Sequence, residues 1–308
     1  MKPSPTALLS LLTAATLAIG LANANPVHTQ MRGRLVERLR EKRAEEERPI
    51  DLQAILPGAR KLTQSYGADP AQQLDVYIPP GAHDAPIIVM VHGGAWRIGD
   101  KANTGSIENK LKSWLPRGYV LVSVNYRMLP KAMAYEQAQD VAEALQWTQS
   151  RAKAWGGADD KIILMGHSAG AHLVALLSSK PDMVGARWAG TVVLDSAAMK
   201  VSDLMKERHP RFYDEAFGDD PAYWIKASPM DQWTPAAVPM MLVCSTQRPD
   251  APCDNAERFR ALTARAGETL PVLPQDLSHA DINRTLGLPG PYTASVDAFI
   301  KARLALKR

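Results

Sequence analysis

The chain has 308 residues, 46% of them hydrophobic and 22% charged. That is the balance of an ordinary globular protein, long enough to bury a substantial core, and it excludes a disordered chain, a collagen and a disulfide-rich miniprotein. Lys and Arg number 36 against 32 Asp and Glu, a formal charge of +4. The excess is spread along the chain, whereas a nucleic-acid binder needs a clustered basic face, so no nucleic-acid partner is expected.

Residues 1–24 read as a secretory signal peptide: Lys2, an apolar run from Ala7 to Ala22, and an Ala22-Asn23-Ala24 cleavage pattern. The run is too short and too interrupted by Ser10, Thr13 and Thr16 for a membrane span. No later stretch could cross a bilayer, and the expected location is periplasmic or secreted. An N-terminal helical extension is expected over 25–56, its Arg/Glu-rich part (31–48) held by i,i+4 ion pairs, followed by one large domain over 57–308.

From residue 73 the pattern alternates. QLDVYI (73–78) alternates apolar and polar like a half-buried strand. APIIVMVH (85–92), YVLVSVNY (119–126), KIILM (161–165), TVVLD (191–195), MMLVCS (240–245) and TLPVLP (269–274) complete the series of strands. Helical patterns lie at 135–155, 169–179, 255–266 and 292–307. This alternation predicts an α/β fold, a mainly parallel central sheet with helices on both faces. Residues 199–235 break the rhythm with Phe212, Tyr213, Phe217, Tyr223, Trp224 and Trp233. They read either as core under a loop or, preferred here, as a small cap over a pocket. Trp96, Phe212, Tyr223 and Trp224 are the expected substrate-binding aromatics.

Gly166-His167-Ser168-Ala169-Gly170 is a G-x-S-x-G sequence between a strand pattern and a helix pattern, the setting of a nucleophile elbow. A serine hydroxyl needs a base, and the base needs an orienting carboxylate. His279, in DLSHADIN before the last helix, is the expected base. His28 and His83 lie in polar segments, His92 belongs to another motif, His167 is read as pointing away from Ser168, His172 as packed on the following helix, and His209 lies in the cap. For the acid, TQRPDAPCDNAERF offers Asp250, the choice made here, and Asp254, read as a helix cap. Asp195 at the end of the preceding strand is the third candidate. His92-Gly93-Gly94-Ala95-Trp96 follows a strand, and Gly93 and Gly94 with Ala169 are the expected oxyanion donors. Cys244 and Cys253 are the chain's two cysteines, and in an exported protein they are expected to pair.

HGGAW, VNYRMLP (124–130), the Gly-His-Ser-Ala-Gly-Ala-His run and DLSH resemble the α/β-hydrolase superfamily, specifically the hormone-sensitive-lipase-like and HGGxW-type bacterial carboxylesterases, from about residue 60 to the C-terminus. The resemblance implies the α/β-hydrolase fold, a serine esterase acting on a small-molecule ester, and roles for Ser168, His279, Gly93, Gly94 and Ala169. Ala95 replaces the usual third glycine, and Trp96 after it looks more like the kynurenine formamidases and the small feruloyl or acetyl esterases. Amide hydrolysis of the arylformamidase type is therefore the alternative, and a non-catalytic binding protein on the same scaffold the more distant one. The acid loop also lacks the usual Asp-x-x-Val-Pro form. No cofactor and no metal are expected, since no His/Cys spacing suits zinc.

Overall fold

The structure is a computed structural model that describes residues 48–305. The expected leader (1–24) and all but the last residue of the Arg/Glu-rich stretch (31–48) lie outside the described residues. The chain divides into two units between Arg48 and Pro49, and the second unit holds every element named below.

Eight strands form one sheet: β1 (Arg60–Ser65), β2 (Gln73–Ile78), β3 (Ala85–Val91), β4 (Val120–Val124), β5 (Gly157–His167), β6 (Gly190–Leu194), β7 (Met240–Ser245) and β8 (Val272–Gln275). Their order is β1-β2-β4-β3-β5-β6-β7-β8. β1 pairs with β2 and β2 with β4 antiparallel, and every other pairing is parallel. The expected mainly parallel sheet is what forms.

The buried strands sort their side chains by parity. Ile87, Val89 and Val91 of β3, with Val120, Val122 and Val124 of β4, enter one core. Ile88 and Met90, with Leu121, enter the other. The first core is covered by α2 (Ala134–Arg151), α3 (Ala169–Ser179) and, through Ala256 and Phe259, α4 (Pro252–Ala264). The second is covered by α1 (Thr104–Trp114), α5 (His279–Thr285) and α6 (Pro291–Ala305). Helices thus shield both faces, as parallel strands require.

Three of these elements escape the sequence reading: β1, α1 and the short α5, which carries His279. β1, RKLTQS, is a solvated edge strand with no apolar face to betray it. α1 does carry a signal: Ile107, Leu111 and Trp114 repeat at helical spacing and are buried, and the Asn103 side chain caps the first turn by accepting from Ser106 N–H at 3.1 Å. Between β6 and β7 the segment expected as a cap folds into four short helices, at Val201–Leu204, Phe212–Phe217, Pro221–Lys226 and Pro229–Gln232.

Candidate active site

The parallel strands β3, β5, β6 and β7 all end on one edge of the sheet, and five non-glycine residues in the segments that follow them have left-handed backbones: Ala95 (φ 50°), Trp96 (φ 58°), Ser168 (φ 57°), Asp195 (φ 60°) and Ala251 (φ 43°). Such conformations are costly and concentrate at functional sites.

Ser168 occupies the turn between β5 and α3. The turn is too tight for side chains two residues away on either side. A Cβ on Gly166 would stand 2.4 Å from the carbonyl oxygen of Gly170, and one on Gly170 would stand 2.4 Å from those of Val91 and His92. The Ser168 N–H donates to Leu194 O at 2.9 Å, which ties the elbow to β6. The Ser168 Oγ lies 2.9 Å from Nε2 of His279, and Nδ1 of His279 lies 2.6 Å from Oδ2 of Asp195. With Nδ1–H donating to the carboxylate, Nε2 is free to accept the serine proton.

His279 opens α5, whose first turn is capped by the Ser278 hydroxyl accepting from Asp281 N–H. Its carbonyl accepts from Nε2 of His167 at 2.9 Å, and the two rings lie 4.5 Å apart. Burial, and then the neighbouring His279, push His167 down to about 3, so the ring is neutral at ordinary pH, and this bond places its single proton on Nε2. His167 therefore points back toward His279 rather than simply away from the serine. Further along α5, Nζ of the fully buried Lys110 donates to both O and Oδ1 of Asn283 at 2.8 Å, and Asn109 donates to Arg284 O at 2.6 Å. Two residues of α1 thereby anchor the helix that carries His279.

The carboxylate at His279 is Asp195, not Asp250. Asp195 follows β6 directly and is fully buried. Its Oδ1 accepts from Ser245 N–H at 2.8 Å, and its Oδ2 accepts from Arg248 Nη1 at 2.9 Å as well as from His279. Burial would raise this carboxyl, but the bonds from His279 and Ser245 and the Arg248 cation outweigh it and hold Asp195 below the usual carboxylate range. Asp250 lies past Pro249 on the exposed side of the turn and binds Arg248 through both oxygens, Oδ1 at 2.8 Å from Nε. The Arg248 guanidinium thus occupies the place where a carboxylate from this turn would have to lie. Asp254 is not the helix cap either. α4 begins at Pro252, and Asp254 is exposed in its first turn. Cys244 and Cys253 are joined by a disulfide across the base of the same turn.

Gly93 lies against the elbow, since a Cβ there would be 2.8 Å from both His167 O and Ser168 Cβ. Gly94 (φ 121°) leaves no room for a side chain beneath Ile98 O, which a Cβ would approach to 1.8 Å. Among the described residues, the backbone N–H groups of Gly93, Gly94 and Ala169 donate to no protein acceptor. They are available to an oxygen from outside.

The expected substrate-binding aromatics fare differently. Trp96 is 3% exposed and belongs to the core. Its ring packs on His172, Tyr213 and Phe217, with centroids 5.4, 5.7 and 5.0 Å away, and its Nε1–H donates to His172 Nδ1 at 3.3 Å. His172 is packed and hydrogen-bonded as expected, its Nε2 donating to Ala227 O at 2.7 Å. Tyr223 donates to Glu136 and accepts from Tyr135 N–H, while Trp224 donates to Gly218 O, and both rings pack against the core. Phe212 is the exposed member, stacked 6.4 Å from Trp96. Much of the aromatic cluster is therefore core under a loop, and Arg97 pairs with Glu215 to tie that loop to the Gly93–Gly94 segment.

Comparison with known proteins bears on the fold and on the middle of the chain. Residues 74–202 match the BD-FAE family model. Esterase LipC of Mycobacterium tuberculosis is 36% identical over 116 residues, 36% of this chain and 28% of that protein. Esterase LipQ of the same organism is 28% identical over 206 residues, 62% of this chain and 48% of that protein. A probable isoprenylcysteine alpha-carbonyl methylesterase of Arabidopsis thaliana is 36% identical over 109 residues, 35% of this chain and 25% of that protein. The first of these curated relatives are matched over only about a quarter of their length. Among solved structures, esterase B of Lactobacillus rhamnosis superposes with a TM-score of 0.67 at 18% identity, over 90% of this chain and 94% of that one. Butyrate-bound esterase 2 of Thermogutta terrifontis gives 0.66 at 22% identity, over 82% and 97%. The chain has the α/β-hydrolase fold, and its segment 74–202 matches the BD-FAE model. The resemblance drawn from HGGAW and GHSAG to the hormone-sensitive-lipase-like esterases is borne out over that matched segment, which contains both motifs.

Proposed function

We propose that the protein is a serine carboxylesterase with Ser168, His279 and Asp195 as its triad. The observation that carries the proposal is the unbroken line from Ser168 Oγ through both ring nitrogens of His279 to Asp195, at 2.9 and 2.6 Å. The esterase names of the relatives support it.

Ser168 Oγ attacks the ester carbonyl while its proton passes to His279 Nε2. The carbonyl oxygen becomes an oxyanion, which the N–H groups of Gly93, Gly94 and Ala169 receive. The carbon–oxygen bond to the alcohol then breaks, and the leaving oxygen takes the proton from Nε2. Water attacks the acyl-enzyme with its proton going to Nε2, and collapse returns that proton to Ser168 as the carboxylic acid departs. Asp195 holds the ring through Nδ1–H and balances the imidazolium in both steps.

The favoured substrates are short-chain or aryl esters. Phe212 presents an exposed aromatic face, and Tyr213 beside it lies in the field of the Asp250 and Arg248 pair, so this helix borders the site. Amide cleavage was suggested by Trp96, and Trp96 is a core residue here, so the ester reading is preferred. The leader pattern and the Cys244–Cys253 disulfide favour export to an oxidising compartment. A fluorophosphonate should label the protein at Ser168, and p-nitrophenyl acetate should turn over faster than N-formylkynurenine. No labelling and no ester turnover would leave a binding protein on a hydrolase scaffold.

A further inference from the structure

We propose that Arg248 is a positioning residue for the Asp195–His279 pair, clamping the carboxylate on the oxygen that faces the base and holding a permanent cation against it. The inference rests on the triad proposed above, and it assigns a task to a residue that stands on the turn where an acid was expected.

The guanidinium grips Asp195 twice. Nη1 lies 2.9 Å from Oδ2 and 3.1 Å from the main-chain oxygen. Asp195 has a left-handed backbone, so it needs holding from several directions. Val243 O accepts its N–H at 2.8 Å, Ser245 N–H fixes Oδ1, and Arg248 fixes the carbonyl and Oδ2. Without Arg248, Oδ2 would be restrained by the histidine alone, which has to change protonation state during turnover. Nη1 also lies 2.9 Å from Nδ1 of His279. Both carry protons toward Asp195, so they meet as two donors over one shared oxygen.

The guanidinium is itself held in place. Asp250 binds its outer edge through both oxygens. The turn is closed by the disulfide, and it is pinned to the base's own loop by Ser245 Oγ donating to Leu277 O at 2.6 Å and by Thr246 N–H donating to Gln275 O at 3.0 Å. Of the other groups near Asp195, His167 is kept neutral by burial and Tyr292 on α6 is pushed far up by burial, while Lys110 on α1, which carries its proton in acid, faces His167 and not the Asp195 carboxylate. Arg248 is therefore the fixed cation that keeps Asp195 ionised as the medium becomes acidic, with Asp250 moderating its field.

The test compares Arg248→Met and Arg248→Lys with the unaltered protein. It reads kcat and KM on p-nitrophenyl acetate across acidic to mildly alkaline pH, and the titration of the Asp195 carboxyl carbon by ¹³C NMR, assigned with Asp195→Asn. In Arg248→Met, kcat should fall about 10- to 100-fold with KM nearly unchanged, because the defect is one of orientation. The acidic loss of kcat/KM and the Asp195 titration should both move up by about one pH unit. Arg248→Lys should restore the acidic range by restoring charge. Asp250→Asn keeps Arg248 and removes a carboxylate, so Asp195 should titrate at or below its original pH. An Arg248→Met protein whose Asp195 titration and acidic limb match the original overturns the proposal, whatever its kcat, and so does an upward move in Asp250→Asn. If the Asp195 titration moves as expected but no form hydrolyses esters, the clamp stands and the esterase reading fails.

Discussion

The end of β6 and the turn after β7 each bring an aspartate toward His279, and they do it under different physical terms. Asp195 is the first residue beyond its strand, fully buried, with both carboxylate oxygens hydrogen-bonded and its backbone forced into a left-handed conformation. Asp250 is five residues beyond Ser245 in the sequence, exposed, and satisfied by an arginine that water also reaches. A buried, fully bonded carboxylate is the better support for an imidazole that must become charged, because the surrounding dipoles need not reorganise. The turn after β7 has a different use, presenting a cation to that carboxylate and a backbone N–H to its other oxygen.

The largest effect probes the point where the two regions converge. Ser168→Ala should lower kcat on an activated ester by about 10⁶-fold, judged by analogy with other serine hydrolases. Residual turnover above a few per cent would mean that another group attacks. The sharper contrast lies between the aspartates themselves. Asp195→Asn should lower kcat by about 10⁴-fold, since the amide no longer fixes the tautomer that leaves Nε2 free. Asp250→Asn should leave kcat within a few-fold of the original. The opposite ranking would return the acid to the turn after β7. Loss of the disulfide should act on stability more than on chemistry. Replacing Cys244 and Cys253 together by Ala removes a bridge that closes a short loop, sequence separation 9, at a cost of about 3 kcal/mol on the chain-entropy estimate. Urea denaturation measures it, and an unchanged midpoint would show that the turn is held by its hydrogen bonds alone.

The same contrast explains what the sequence disclosed. Ser168 was legible because the elbow's geometry dictates its neighbours: the glycines at 166 and 170 are there because nothing larger fits. His279 was legible by elimination, since the other histidines had duller positions. The strands β3 to β7 announced themselves through apolar runs. The acid was misjudged because the rule applied was one of chain order, acid after β7, while the deciding facts were three-dimensional. Asp195 had a usable signal, a carboxylate at the very end of an apolar strand and level with the elbow. Its bonds to Ser245 and Arg248, 50 and 53 residues away in sequence, had none. The tie from His167 to the main-chain oxygen of His279 was equally invisible, because it spans 112 residues and involves no side-chain pattern. Trp96 was misjudged for a related reason: a tryptophan after Gly-Gly-Ala reads the same whether its ring turns toward substrate or into the core.

The smallest effect concerns the support of His279 by α1, which lies on the same face of the sheet as α5. Lys110 is fully buried with carbonyl partners on Asn283, and burial lowers it from the ordinary lysine range to about 7. In the unfolded chain it would titrate near 10.4. Below about pH 7 both states carry the proton, and the buried charge costs stability in full. Between about 7 and 10 the unfolded chain binds more protons than the folded one, so this residue's contribution to stability rises with pH. The rise should be roughly 2 kcal/mol between pH 7.5 and 9, read as the shift in urea midpoint at constant slope. Lys110→Met should lack that rise while losing the two bonds to Asn283. If the original protein and the variant respond to pH in parallel, Lys110 stays charged in its helix interface. The anchor of α5 would then be an ion solvated by Asn283 rather than a near-neutral amine.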